Sequence, residues 1–332
     1  MSERTTVGPD VRPQGVRPAA ERSPGVRPGP ARPAAVRRAG AAVARPARSV
    51  GLALAALALV VAAWEGYKLL GPDDGWLVGD LRLLPRTSDL AMPHVTDMLA
   101  RLAEPVTGAA GAPALWVAVV QACAVSLRVA TVGWVLGVGV GLLLAVLMQR
   151  VRLAERAVLP FVVLSQTVPL VALAPLVRSW GSKLEIGAFA WQGWMSVAVI
   201  ASYLAFFPVA VGALRGLQSP DAIHRELLTS YGAGWGQALV HLHLPASVPY
   251  LLPALRLAAA AAVVGTVVAE VSTGLPGGVG RMILELANFA SSDPAKPWAP
   301  IFGAVALGLV ASGAVALLGA PLGRYRRAEV PA

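Results

Sequence analysis

Four long stretches of this chain carry no formal charge: residues 129–149, 157–177, 186–214 and 297–323. A helix rises 1.5 Å per residue, so about 20 apolar residues cross the hydrocarbon layer of a bilayer. Two further segments have the length but hold charges near their ends: 49–70 contains Glu65 and Lys68, and 251–271 contains Arg256 and Glu270. Composition agrees, because 14% of residues are charged and 56% hydrophobic, whereas a soluble domain carries about 25% charged residues. The sequence therefore predicts an all-α fold, a polytopic inner-membrane helical bundle of six transmembrane helices.

A seventh candidate, 105–127, lacks charge but is broken by Pro105, Gly108, Gly111 and Pro113. Parity argues against it as a separate span. The Arg-rich N-terminus and the loop holding Arg150, Arg152 and Arg156 both favour the cytoplasmic side, so an even number of crossings separates them. Residues 71–113 then form an extracytoplasmic loop, where six acids (Asp73, Asp74, Asp80, Asp89, Asp97, Glu104) outnumber three arginines. Trp64, Trp76, Trp180, Trp191 and Trp298 fall near outer helix ends, as in an interfacial aromatic belt. The expected location is the plasma membrane, with both termini cytoplasmic.

The net charge of +10 is unevenly distributed, since residues 1–48 hold ten arginines against Glu3, Asp10 and Glu21. Repeats of Val-Arg-Pro and Ala-Arg-Pro bring eight prolines and almost no large apolar residue, so 1–48 is expected to be a disordered cytoplasmic tail. Its charge suits anionic lipid headgroups, at about 1 kcal/mol per arginine, better than nucleic acid. A short cytoplasmic tail is expected at 323–332. The single cysteine, Cys123, excludes an intrachain disulfide. The chain contains no phosphate-binding loop, no zinc-protease motif and no nucleophile elbow. His241 and His243 diverge on a helix, so they and His224 read as polar surface, and neither a metal nor a cofactor is expected.

The stretch from Arg215 to Pro253 is the one long cytoplasmic loop between spans. Ser219-Pro220-Asp221 predicts a helix start, with Ile223, Leu227 and Leu228 on an apolar stripe and Gly232 as the stop. A second short helix is expected over about Trp235–Leu242, ending before Leu244-Pro245. Two short helices joined at a glycine make either a knob for a partner's groove or a passive connector on the headgroups.

Glu226, then Gly232, then Leu242-His243-Leu244-Pro245 follow the spacing of the E-A-A, three residues, G, nine residues, I-x-L-P motif of ABC importer permeases. Leu227 and Leu228 replace its two alanines, and Leu242 replaces its isoleucine. LPFVVLSQTVPLVALAPLV (159–177), LAFFPVAVGALRGL (204–217) and VVGTVVAEVSTGLPGGVGRMI (263–283) further resemble the branch serving sulfonates, taurine, nitrate and thiamine-precursor pyrimidines. The resemblance covers about residues 90–320. It implies a type I ABC importer permease fold, with a transmembrane core at 114–322 and a cytoplasmic coupling loop at 215–250. It further implies a paired subunit, a permease homodimer, seated on cytoplasmic ABC ATPase subunits and fed by an extracytoplasmic solute-binding protein. The permease itself would not be an enzyme.

Other residues leave alternatives open. Glu270, an acid at membrane depth, either faces a cavity or sits solvated at the outer interface. Ser165, Gln166 and Thr167 beside Pro169 either line a path or satisfy backbone groups freed by the proline. Gly133, Gly137 and Gly141 form a close-packing signature that fits a bundle interior or a dimer seam. A self-sufficient secondary transporter would show internal repeats, and a membrane enzyme would show convergent acids or histidines within the spans; neither is evident. A Glu270 facing the cavity would disfavour a simple oxyanion as solute.

Overall fold

The computed structural model describes residues 34–75, 77–78, 81–82, 85–186 and 189–322. The chain separates into two units, Met1–Ala62 and Ala63–Ala332. What is described of the first is the start of helix α1 (Ala34–Leu70). This helix begins inside the segment expected to be disordered. Its first turns are rich in alanine and arginine, both strong helix formers, which outweigh Gly40 and Pro46. Within α1, Gly51–Leu70 is long and apolar enough to cross a membrane. Residues 1–33 and 323–332, and Trp76, lie outside the described residues.

In the second unit, the last turn of α1 is followed by a two-residue hairpin, β1 (Leu77–Val78) and β2 (Leu81–Arg82), and by helix α2 (Val95–Arg101). Then come α3 (Leu115–Arg150), α4 (Arg152–Ser165) and α5 (Leu170–Gly181), a second hairpin of β3 (Glu185–Ile186) and β4 (Phe189–Ala190), and α6 (Gly193–Leu217). The remaining helices are α7 (Ala222–Ser230), α8 (Trp235–Ala238), α9 (Leu244–Thr273), α10 (Val279–Ala287) and α11 (Trp298–Leu318). Among the described residues, five helical segments satisfy the length and hydropathy of a span, and α4 with α5 makes a sixth if the pair is taken together.

That sixth segment departs from expectation. Residues 157–177 do not form one helix, because α4 and α5 meet at 102°. Pro169 lacks an N–H and disfavours helical geometry at Val168, so the helix ends at Ser165 and restarts after the proline. The seventh candidate is absorbed differently: its second half is the first third of α3, a helix of 36 residues that runs straight through Arg128.

The glycine stripe of α3 packs inside the bundle, against α6. A Cβ on Gly137 would lie 2.7 Å from Ala205 Cβ and 2.8 Å from Ser202 O; one on Gly141 would meet Phe206 O at 2.7 Å. Lipid tails supply no hydrophobic drive between helices, so close backbone approach through small residues is what binds them. Gly133, Gly137 and Gly141 meet Ala201, Ala205 and Val209 in turn, so α3 and α6 run parallel. The chain therefore returns to its starting end between them, and the bent α4–α5 pair makes that return. Helix α9 runs antiparallel to α6, pairing Gly216 with Ser247, Gly212 with Ala254 and Ala201 with Gly265.

The charges at the end of α1 are fully partnered. Lys68 Nζ donates to Asp89 Oδ1 at 2.6 Å, to Met92 O at 2.6 Å and to Thr87 O at 3.2 Å. Glu65 accepts from the Val95 N–H at 2.8 Å at the start of α2, and lies 2.7 Å from His94 Nδ1. The Lys68 ammonium holds the Asp89 carboxyl below the ordinary carboxylate range.

Candidate functional site

The loop between α6 and α9 is built from an exposed helix and an unbroken rod. Helix α7 has no buried residue, and Ile223, Leu227 and Tyr231 are 70%, 53% and 80% exposed. Glu226 is also exposed, with no ion pair among the described residues. The helix start lies two residues beyond Ser219. Asp221 occupies the N-cap position without a side-chain bond, while Ser219 Oγ donates to Gly216 O at 2.8 Å and closes α6.

Gly232 ends α7 as expected, by a specific geometry. Its φ is +73°, a left-handed value that costs other residues roughly 1–2 kcal/mol. Its N–H bonds Thr229 O at 2.9 Å, and the Ala233 N–H reaches back to Leu228 O at 3.0 Å. These paired bonds satisfy carbonyls that the helix end would otherwise leave open.

The second helix does not stop before Leu244-Pro245. Helix α8 passes through a π-helical turn at Leu239–His243 into α9, so that Trp235–Thr273 is one rod of 39 residues. Pro245 stands in the first turn of α9, where the widened turn accommodates a residue without an N–H. Leu242 lies in the π turn, while Leu244 and Pro245 open α9. His243, expected on the surface, is buried, with Nδ1 2.6 Å from Leu217 O. It covers a carbonyl at the end of α6. At the other edge Trp235 Nε1 donates to Gln149 Oε1 at 3.2 Å, and the Arg150 guanidinium lies 4.3 Å from its ring centre. The loop is thus anchored to the ends of α3 and α6, while α7 stays free.

The three pathway candidates separate. Gln166 and Thr167 lie at the α4–α5 break, both exposed. Thr167 Oγ1 donates to Leu164 O at 2.8 Å and Ser165 Oγ to Val162 O at 2.7 Å. The Ser165 carbonyl accepts from the Tyr203 hydroxyl. Ser165 and Thr167 therefore satisfy the broken backbone, while the exposed Gln166 amide donates to Ser165 Oγ at 3.3 Å. Glu270 fits neither of its alternatives. It is 0% exposed, and its carboxylate accepts from Ser126 Oγ and from the Gly280 N–H, each at 2.8 Å. With no open surface, it has no direct bearing on the charge of a solute. Ser126 and Gly280 carried no signal in the sequence, because their pairing with Glu270 depends on contacts between separate helices. Among the described residues, no group of three or more metal-ligating side chains is clustered.

Comparison with known proteins agrees with this architecture. Residues 137–322, more than half of the chain, match the family described as "Binding-protein-dependent transport system inner membrane component". The formylaminopyrimidine transport permease protein ThiX of Halalkalibacterium halodurans is 34% identical over 190 residues, 57% of this chain and 71% of the relative. The putative aliphatic sulfonates transport permease protein SsuC of Bacillus subtilis is 30% identical over 202 residues, 61% of this chain and 69% of the relative. The riboflavin transport system permease protein RibX of Chloroflexus aurantiacus is 30% identical over 127 residues, 38% of this chain and 44% of the relative. An apolar helical bundle with an exposed, glycine-terminated loop helix, matched over its core to these permeases, belongs to the family of binding-protein-dependent transport system inner membrane components, as the permease subunit of an ABC importer whose ATPase is a separate subunit.

Proposed function

We propose that two copies of this chain form the translocation pathway for a small solute, a formylaminopyrimidine-type thiamine precursor, a sulfonate such as taurine, or nitrate. A solute-binding protein delivers the solute from outside. The 215–250 loop, through Glu226, Leu227, Leu228, Gly232, Leu242, Leu244 and Pro245, seats on the ATPase and carries its closing motion into the membrane. The observation that supports this most is the contrast within that loop. Helix α7 presents Ile223, Leu227 and Tyr231 to solvent, an apolar face suited to a partner's groove, while the adjoining rod runs unbroken from Trp235 to Thr273. A push on α7 is thereby delivered to a stiff element that crosses the bundle.

Orientation follows from charge. Six crossings with Arg150, Arg152, Arg156, Arg215 and Arg225 on one side support a reading in which both termini are cytoplasmic. The charge of the N-terminal arginines then suits anionic lipid headgroups. Gln166 and Thr167, at the α4–α5 break, are the pathway-lining candidates that have exposed surface.

The test is ATP-dependent uptake by proteoliposomes holding the permease, its ATPase and its binding protein, supplied in turn with radiolabelled formylaminopyrimidine, taurine and nitrate. Uptake of one of these that requires both partners is the expected result. Uptake driven by an ion gradient without ATPase would overturn the proposal.

A further inference from the structure

The Glu270 carboxylate has a structural context that its burial alone does not explain. Helix α9 ends at Thr273, Gly274 turns the chain at φ +66°, Gly277 turns it again at φ +87°, and α10 starts at Val279. The first N–H groups of a helix have no partners within it. Here they are met from other helices: the Gly280 N–H donates to Glu270 Oε2, and the Val279 N–H donates to Ser126 Oγ at 2.8 Å, which in turn donates to Glu270. The backbone is shaped around the carboxylate. A Cβ on Gly278 would overlap the Glu270 carboxyl, and one on Gly280 would stand 2.8 Å from Glu270 Cβ.

What this fastening holds in place is one wall of a cavity. A space of about 290 Å³ is bounded by Gln121 and Val125 of α3, by Gly277 and Gly278, and by Arg281 and Glu285 of α10. Arg281 and Glu285 pair at 2.7 Å across one turn and remain partly exposed, so they offer a donor and an acceptor to the space. If Glu270 let go, α10 would lose the bonds at its start and this wall would shift.

We propose that Glu270 is a positioning residue: through Ser126 and the Gly278–Gly280 backbone it fixes α10, and so sets the shape of the cavity between α3 and α10 that solute enters during transport. The part concerning solute rests on the transport reading given above.

The decisive experiment uses the steric fit. Gly278→Ala drives a methyl into the carboxylate, and Glu270→Asp withdraws that carboxylate by one methylene, about 1.5 Å. The full chain would carry Gln121→Cys and Glu285→Cys in a Cys123→Ala background, and a thiol cross-linker applied to membrane vesicles would report where α10 lies. Gly278→Ala is expected to lower cross-linking, and adding Glu270→Asp to restore it. Gly139→Ala, where a methyl meets open space, serves as the neutral control.

In proteoliposomes without the added cysteines, Gly278→Ala is expected to raise the half-saturating concentration of loaded binding protein about tenfold, the scale carried by one internal coupling contact. The maximal rate should stay within about twofold, and the double variant should recover. Cross-linking indifferent to Gly278→Ala, or not restored by Glu270→Asp, would overturn the proposal, as would an altered cross-link with unchanged half-saturation. If the wild-type complex moved no solute, the transport reading would fall, and the cross-linking arm would still decide whether Glu270 positions α10.

Discussion

Helices α7 and α10 have the same length, nine residues each, and opposite circumstances. The first has no buried residue and no side-chain cap. The second buries Val279, Gly280 and Leu286 and has its first N–H groups held by Ser126 and Glu270. An isolated helix of nine residues is marginal in water, so each needs support, and the support differs. For α10 it comes from the chain's own packing. For α7 it comes from a glycine-locked end and, on the proposal above, from a partner. A short helix that buries no residue of its own is one whose position another molecule can set.

The largest effect that would break this contrast lies in α7. Glu226→Lys or Gly232→Asp should abolish uptake and remove the ATPase from affinity-purified permease, while membrane insertion stays normal. Normal uptake by both variants would remove the loop from the mechanism. A smaller difference is expected in amide exchange. α7 should exchange fast in the isolated permease and slow markedly once ATPase is bound, whereas α10 should be protected in both states; equal protection of the two helices without ATPase would erase the distinction.

Next in size, Ser126→Ala leaves the Val279 N–H and one side of the Glu270 carboxylate unpaired. The penalty for such a buried group is about 1–3 kcal/mol, read as a lower unfolding temperature of the purified protein and faster exchange confined to α10. The smallest effect concerns the loop joined to the end of α1. Because Lys68 lowers the Asp89 pKa, the contribution of this pair is present above the ordinary carboxylate pKa and fades as pH falls through the lowered value. Asp89→Asn should remove that acid-side dependence from a melting-temperature profile and change little near neutrality.

Much of this was legible beforehand, for identifiable reasons. Charge-free stretches located the spans because a bilayer imposes a length. The loop and its glycine were visible because a left-handed helix end selects glycine at one spacing from Glu226. The break at Gln166–Pro169 was half legible. Pro169 and its polar neighbours marked the place, but a 102° bend also depends on Tyr203 of another helix bonding the freed Ser165 carbonyl. Glu270 was misplaced because its partners are Ser126, 144 positions away, and a glycine N–H that leaves no trace in side-chain pattern. His243 was assigned to the surface for a similar reason: the carbonyl it covers belongs to Leu217. One-dimensional pattern reports length, period and punctuation, and it is silent about which buried polar groups find each other.

The stripe of small residues between α3 and α6 has a consequence for register. Gly133, Gly137 and Gly141 recur every four residues, and so do Ala201, Ala205 and Val209 opposite them. Sliding one helix past the other by a full turn would bring Gly137 against Val209 and Gly141 against Ala213, surfaces close to those already paired. The seam alone therefore distinguishes poorly between two alignments about 6 Å apart. The choice falls to contacts beyond it: the Trp235–Thr273 rod grips α3 through Trp235 on Gln149 and Arg150 and α6 through His243 on the Leu217 carbonyl, so that residues at the edge of the bundle act as its alignment marks.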